Sequence, residues 1–390
     1  MRLVVKVIVL IFILNSAAFG QCGGKFSQFL DDIKNEALKL GHTELKIEAF
    51  LQGVALNPKV LEADRAQAIF LKPSNEFAPR LMSEYRIVHG FNNLKKYSSI
   101  FSEIKEVYGV SPGVLASFWA LETDFGAVQG NFNTLDALIT LAFDCRRPLL
   151  FRPQIFAALE LFAQNKFNPR TTKGAWAGEI GMVQMLPKDI LENGVDADGD
   201  GKIDLQSSAS DALFSAAKML KGLGWKPNEP WLQEINLTQE LDWFDTGTDK
   251  IKSISEWKKL GITGKYSELP DELEFASLIL PQGRNGPKFL TYSNFEVFFE
   301  WNKSFIYVLT AAQFANQLEG SPPFFPGNPD NGLNKNQMKL LQVKLKKLGY
   351  EVGEIDGILG AKTRRSVQKV QRILKLPADA WPTGELLKLL

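Results

Sequence analysis

The chain has 390 residues, 45% of them hydrophobic and 23% charged, a balance that excludes disordered, collagenous and disulfide-dense chains. Its 45 Lys and Arg against 44 Asp and Glu leave a net charge of +1, which argues against a wholesale nucleic-acid or polyanion binder. At roughly 150 residues per domain the length suits two or three domains. Two histidines, His42 and His89, and two cysteines, Cys22 and Cys145, leave little room for chemistry that needs several imidazoles or thiolates. No HExxH or CxxC occurs, and a Ser-His-Asp triad would have to draw on one of two histidines in polar stretches.

At the N-terminus Arg2 and Lys6 bracket the start of an apolar run, Val7 to Leu14, followed by Asn-Ser-Ala-Ala-Phe-Gly-Gln. This predicts a signal peptide over residues 1–20: the run is well short of the roughly 20 residues that span a bilayer, and Ala18 and Gly20 supply small residues before a cleavage site. A periplasmic chain without a transmembrane anchor is the expectation. Gln21 stands where lipid attachment at Cys22 wants a small residue, which argues against a lipoprotein. In an oxidising compartment Cys22 to Cys145 is the only intramolecular disulfide available; two unpaired thiols are the alternative.

Beyond the leader, apolar residues at three- and four-residue spacing predict helices over Phe50 to Leu56, Ile100 to Val107, Leu135 to Phe143, Ile155 to Phe162 and Ala212 to Leu220, while alternating strands are scarce. In Ser111 to Gly126, Ser111 suits an N-cap, Pro112 the first helical position and Gly126 the terminating left-handed position. Its inward stripe is Val114, Leu115, Phe118, Leu121 and Phe125, and Glu122 projects from that stripe. A carboxyl among apolar side chains keeps its proton toward neutral pH and suits a general acid; an edge glutamate reaching water is the plain alternative. Asp124, two positions on, lies on another helix face, which disfavours a carboxylate pair on this helix.

The loop from Asp196 through Asp198, Asp200, Gly201, Lys202 and Ile203 has EF-hand spacing, but Ser207 occupies the position that needs a bidentate carboxylate. A calcium site or a plain Asp/Gly turn are both compatible with it. Residues 320–332, GSPPFFPGNPDNG, read as a linker. It separates a body, 21–319, from a tail, 333–390, with apolar stripes Leu340, Leu341, Val343, Leu345, Leu348 and Val367, Val370, Ile373, Leu374. The tail holds 12 basic and 5 acidic residues, so the neutral total conceals a +7 tail joined to a −8 body. A basic tail favours anionic partners through attraction that salt weakens.

The tail residues LQVKLKKLGYEVGEIDGILGAKTRRSVQKVQRILKL resemble the three-helix peptidoglycan-binding domain, with Val370 replacing a usual Phe and Ala378-Asp-Ala-Trp381-Pro replacing a second Asp-Gly turn. FWALETDFG resembles the catalytic-helix motif of the lytic murein transglycosylase B family, and TLDALITLAFDCRRPLLFRPQIFAAL, GAWAGEIGMVQMLPKDI, DADGDGKIDL and YSNFEVFFEWNKSFIYVLTAAQFANQL match further family segments in order. The resemblance implies a mainly α fold, an α+β lysozyme-like core with an extra helical domain, beside a small three-helix C-terminal domain. It implies a lytic transglycosylase that cuts the bond between N-acetylmuramic acid and N-acetylglucosamine, leaving 1,6-anhydro ends, with Glu122 as its acid and base. Arg146, Arg147, Gln184, Trp301 and Asn302 are the implied substrate contacts, with Trp301 standing where the family has Tyr and Ala175 where it often has Ser. The implied calcium ligands are Asp196, Asp198, Asp200, the Lys202 carbonyl and Asp211, with no cofactor needed for the chemistry. Glu179 is a second carboxyl near the site without an assigned role. Peptidoglycan strands, and other cell-wall enzymes, are the expected partners. A muramidase at the same site, or a non-catalytic wall-binding protein, are the competing readings.

Overall fold

The computed structural model describes residues 24–66, 81–270, 274–323 and 327–390. The predicted signal peptide and Cys22 lie outside them. At the centre is the helix Pro112–Thr123, on which Val114, Leu115, Ala116, Phe118, Trp119 and Ala120 are all buried. A helix apolar around nearly its whole circumference is a core helix, so the single inward stripe expected from spacing understates its burial. It packs against Phe305–Leu318, itself buried at Tyr307, Val308, Leu309, Ala311, Ala312, Phe314 and Ala315. Fully burying one such Phe or Leu side chain contributes about 1.5–3 kcal/mol, and this pair of helices is the spine on which Glu122 is mounted.

The ends of the central helix differ from expectation. Ser111 does not cap it; its hydroxyl and the Gly113 N–H, the latter at 2.7 Å, both donate to Glu319 Oε1, from just beyond the partner helix. An acidic side chain there satisfies an orphan N–H and complements the helix dipole. The left-handed turn begins at Asp124 (φ 49°) and continues through Phe125 (φ 60°) and Gly126 (φ 89°), two residues earlier than Gly126 alone would place it. Arg86 Nε donates to Asp124 Oδ1 at 2.6 Å, anchoring that conformation.

The predicted helices at 100–107, 135–143, 155–162 and 212–220 fall within Ser98–Tyr108, Thr134–Phe143, Pro148–Ala163 and Ala209–Gly222. The one over 50–56 is corrected: the helix there is Glu44–Leu51, which stops before Gly53 (φ 72°). Two short strands, β1 (Phe132–Asn133) and β2 (Lys173–Gly174), pair antiparallel beside the central helix. Between residues 232 and 291 five more strands, β3 (Leu232–Leu237), β4 (Ile251–Ser253), β5 (Ile262–Gly264), β6 (Phe275–Ile279) and β7 (Phe289–Thr291), form an antiparallel sheet in the order β4-β6-β7-β3-β5. Its separate small core is built on Trp257, whose indole N–H donates to the Ala276 carbonyl at 2.8 Å.

The tail folds as Lys335–Lys347, Ala361–Ile373 and Gly384–Leu389 around Met338, Leu341, Leu345, Val352, Val367, Val370 and Leu386. Leu340, Leu348, Ile373 and Leu374, expected in its apolar stripes, are exposed. The tail is seated on the body. Gln368 Nε2 donates to the carbonyls of Trp243 and Thr246 at 3.0 and 2.9 Å, Arg372 pairs with Asp242 at 2.7 Å, and the Arg284 N–H donates to Asp379 at 3.0 Å.

Candidate active site

Glu122 occupies the last turn of the central helix, one residue before Thr123 ends it. Its Oε1 accepts from the Tyr307 hydroxyl at 2.5 Å and from the Trp301 indole N–H at 3.0 Å. Burial pushes the Glu122 carboxyl above its usual range, outweighing these two donors, which favour the charged form. Burial, with the adjacent carboxylate, also pushes Tyr307 well above its usual range, so the phenol remains a donor. Both donors converge on one oxygen, and among the described residues no protein donor reaches Oε2.

The turn between two helices makes that convergence possible. Ser293–Trp301 ends at Trp301, and Phe305–Leu318 begins four residues later. Asn302 Oδ1 accepts the Ser304 N–H at 2.9 Å, and Ser304 caps the next helix through the Tyr307 N–H at 3.4 Å. Asn302, expected to contact substrate, therefore shapes the turn beside Glu122 with its carbonyl oxygen. Trp301 lies flat on Phe118, centroids 4.5 Å apart, so one face is covered and its edge holds the glutamate. Tyr307 was not singled out in the sequence. The signal available was a tyrosine on an otherwise apolar helix face, since a buried phenol needs a partner.

Opposite this turn is the loop 175–185, which leaves β2 at Gly174. A Cβ on Gly174 would come 2.0 Å from the Glu179 carbonyl oxygen, so only glycine lets the loop fold back. The Ala175 N–H donates to that oxygen at 2.9 Å, and Ile180 and Met185 exchange backbone hydrogen bonds at 2.8 and 3.1 Å. Thr123, next to Glu122, donates its hydroxyl to the Met182 carbonyl at 2.5 Å and fixes the loop to the central helix. Gln184, with φ 52°, uses its amide on the carbonyls of Gly181 and Gln129 at 2.8 and 3.3 Å.

The paired arginines are held by a residue the sequence did not indicate. Arg146 Nη1 reaches Asp64 Oδ2 at 2.6 Å and Arg147 pairs with the other carboxylate oxygen. Asp64 is only 1% exposed; burial pushes its carboxyl up, but the two guanidinium groups outweigh that and hold it low. Arg147 also lies 5.1 Å from the Phe151 ring and 5.9 Å from that of Trp176, at the edge of the 175–185 loop. Asp124 is committed to Arg86.

In the acidic loop, carboxylate oxygens of Asp196, Asp198 and Asp211 lie within 4.8 Å of one another, with Asp211 1% exposed. Asp211 accepts the Ala197 and Asp204 N–H groups at 2.9 and 2.8 Å, and Asp196 those of Gly199, Asp200 and Gly201. Three hard oxygen donors gathered without a cationic side chain suit a calcium-sized cation. Asp200 is outside this trio and accepts the Lys202 N–H at 2.8 Å. Cys145 is disulfide-bonded.

Residues 25–316 match the family described as Transglycosylase SLT domain, and residues 334–390 match Putative peptidoglycan binding domain. The chain is 25% identical over 314 residues to Membrane-bound lytic murein transglycosylase B of Escherichia coli strain K12, covering 76% of this chain and 85% of that protein. The structure of SltB3 from Pseudomonas aeruginosa in complex with NAG-anhNAM-pentapeptide superposes with a TM-score of 0.86 at 33% identity, over 94% of this chain and 99% of that one. The Escherichia coli lytic transglycosylase SLT35 in complex with calcium gives a TM-score of 0.63 at 25% identity, over 75% and 92%. With a carboxyl pushed above its usual range at the end of a buried helix, and matched by this family over residues 25–316 and by the wall-binding family over 334–390, the chain belongs to the transglycosylase SLT family: the protein is a lytic murein transglycosylase with a C-terminal peptidoglycan-binding domain.

Proposed function

We propose that Glu122 is the sole general acid and base of a reaction that cuts peptidoglycan between N-acetylmuramic acid and N-acetylglucosamine. The protonated carboxyl gives its proton to the bridging oxygen. Its carboxylate, steadied by Tyr307 and Trp301, then takes the proton of the muramoyl C6 hydroxyl as that oxygen closes on C1 to give the 1,6-anhydro ring. Attack from within the same sugar needs no positioned water and gains from proximity. The observation that carries this reading is the half-buried Glu122 carboxyl with two neutral donors on a single oxygen.

Gln184, Asn302 and the exposed part of Arg146 are proposed to meet hydroxyl, acetamido and stem-peptide groups, in addition to their structural bonds to Gly181, Ser304 and Asp64. The tail is proposed to hold the wall. Asp196, Asp198 and Asp211 are proposed to hold a structural calcium ion that takes no part in the chemistry. Export to the periplasm is supported by the N-terminal pattern, and among the described residues no helix is long and apolar enough to cross a membrane. Mass spectrometry of products from sacculi is the test: wild type should release 1,6-anhydromuramoyl ends and Glu122→Gln should release none. Reducing ends would instead identify a muramidase, a reading that the neighbouring Glu179 carboxyl keeps in play.

A further inference from the structure

We propose that Glu179 is a second substrate-binding carboxylate of the reaction centre, whose Oε2 accepts the acetamido N–H of the muramoyl residue being cut. The inference rests on the lytic reading above. Glu179 lies on the loop that Thr123 ties to the catalytic helix, and its carboxylate is close enough to sense the charges of both Glu122 and Arg147. Its Oε2 is buried with no hydrogen-bond partner. A buried acceptor left unpaired is destabilising, and such an atom beside the general acid is accounted for by a ligand that supplies the missing donor.

The substrate's own chemistry limits what that donor is. Inside a glycan strand the muramoyl ring has O1 and O4 in glycosidic bonds and O3 in the lactyl ether. Two donors remain on the ring: the C6 hydroxyl and the acetamido N–H. The C6 hydroxyl is the nucleophile and must reach Glu122. The acetamido group, on C2 beside the reacting carbon, is the muramoyl donor assigned to Glu179.

Held there, the acetamido oxygen attacks C1 as the bond from C1 to the bridging oxygen breaks and Glu122 protonates that oxygen. The positive charge then rests on a closed ring whose N–H faces the Glu179 carboxylate. In the second step the C6 oxygen displaces the acetamido oxygen from C1, its proton goes to Glu122, and the acetamide is restored. Nothing is oxidised or reduced, and Glu179 neither gains nor loses a proton. Its role is electrostatic and is largest when the ring is cationic.

The test compares wild type, Glu179→Gln and Glu179→Ala on the same glycan strands, and their binding of the bicyclic thiazoline of N-acetylglucosamine, which copies the closed acetamido ring. Glu179→Ala should lower kcat about 10²–10³-fold with KM changed less than about threefold, and Glu179→Gln, which keeps a neutral acceptor, should fall between. Products should remain 1,6-anhydro. The thiazoline should bind at least about tenfold more weakly to Glu179→Ala than to wild type, and the same ratio should hold in a Glu122→Gln background. Equal thiazoline binding with and without Glu179 overturns the proposal, as does a wild type whose reducing-end products vanish in Glu179→Gln, since that assigns Glu179 to water activation. Should Glu179→Ala not fold, the Gln variant carries both comparisons. An active Glu122→Gln enzyme would instead strike down the acid-base reading, so the two failures are separable.

Discussion

Tyr307 donates to Glu122 Oε1 at 2.5 Å across 185 residues of sequence. The bond favours the ionised carboxyl, the state formed as the proton leaves, so it should strengthen along the reaction. Hydrogen bonds to charged groups contribute about 1.5–3 kcal/mol, so Tyr307→Phe should lower kcat by roughly one to two orders of magnitude. Removing a donor to the charged form also raises the Glu122 pKa further. The alkaline limb of the kcat profile should move to higher pH in Tyr307→Phe; a limb that stays put or moves down would contradict the assignment.

Glu179 gives a stability prediction with a definite sign. Burial first, and then the charge of Glu122, push its carboxyl up to about 7, whereas an unfolded glutamate titrates near 4.3. A raised folded pKa means its stability contribution is complete below about 4.3 and is lost as pH rises through about 7, by at most roughly 4 kcal/mol. Glu179→Gln removes this dependence. The variant and wild type should melt together near pH 4, and the variant should melt several degrees higher near pH 8. Melting curves that remain parallel from pH 4 to 8 would show that Glu179 carries no such penalty.

What could be read in the sequence was whatever is local. The helix 112–123, the misplaced glutamate on it and the tail motif each depend on spacing within a few turns. The sheet at 232–291 could not be read, because strands such as Ile251–Ser253 and Phe289–Thr291 are three residues long and leave no alternation to see. Tyr307 was hidden because a phenol on a helix bearing Val308, Leu309, Ala311 and Phe314 looks like core until its distant partner is known. The arginines were placed at the site but not with Asp64, whose charge arrives from Pro58–Arg65, some eighty residues earlier.

Gathering the carboxylates of Asp196, Asp198 and Asp211 within 4.8 Å is repulsive unless a cation joins them. Calcium should therefore raise the melting temperature with increasing concentration, reaching about 2.7 kcal/mol at a hundredfold excess over Kd. Asp211→Asn should remove most of the shift. Asp200→Asn should remove less, because Asp200 stands outside the trio. Kinetics on soluble strands should be the same with and without calcium near 25 °C. A melting temperature indifferent to calcium in the wild type would refute the site.

Arg364 holds the tail on the body. Its Nη2 donates to the Pro281 carbonyl at 2.8 Å, and its guanidinium lies 4.9 Å from the Phe305 ring and 6.0 Å from Trp381. Burial pushes its pKa down to about 10, although the nearby Asp379 opposes this. With Arg372 on Asp242, two of the tail's basic residues are spent on docking rather than on the wall, so the tail's +7 overstates the charge it presents. A planar guanidinium that donates to a carbonyl and lies near two rings is not replaced by an ammonium, so Arg364→Ala and Arg364→Lys should both loosen the tail. Small-angle scattering should then show a larger radius of gyration, and proteolysis near residues 320–332 should quicken. Cleavage of short soluble strands should stay within a few-fold of wild type, because Glu122, Tyr307 and Trp301 all belong to the body. Release from intact sacculi should fall as the wall-binding module loses its fixed position. A variant as compact and as protease-resistant as wild type would show that Gln368 and Asp379 suffice to seat the tail.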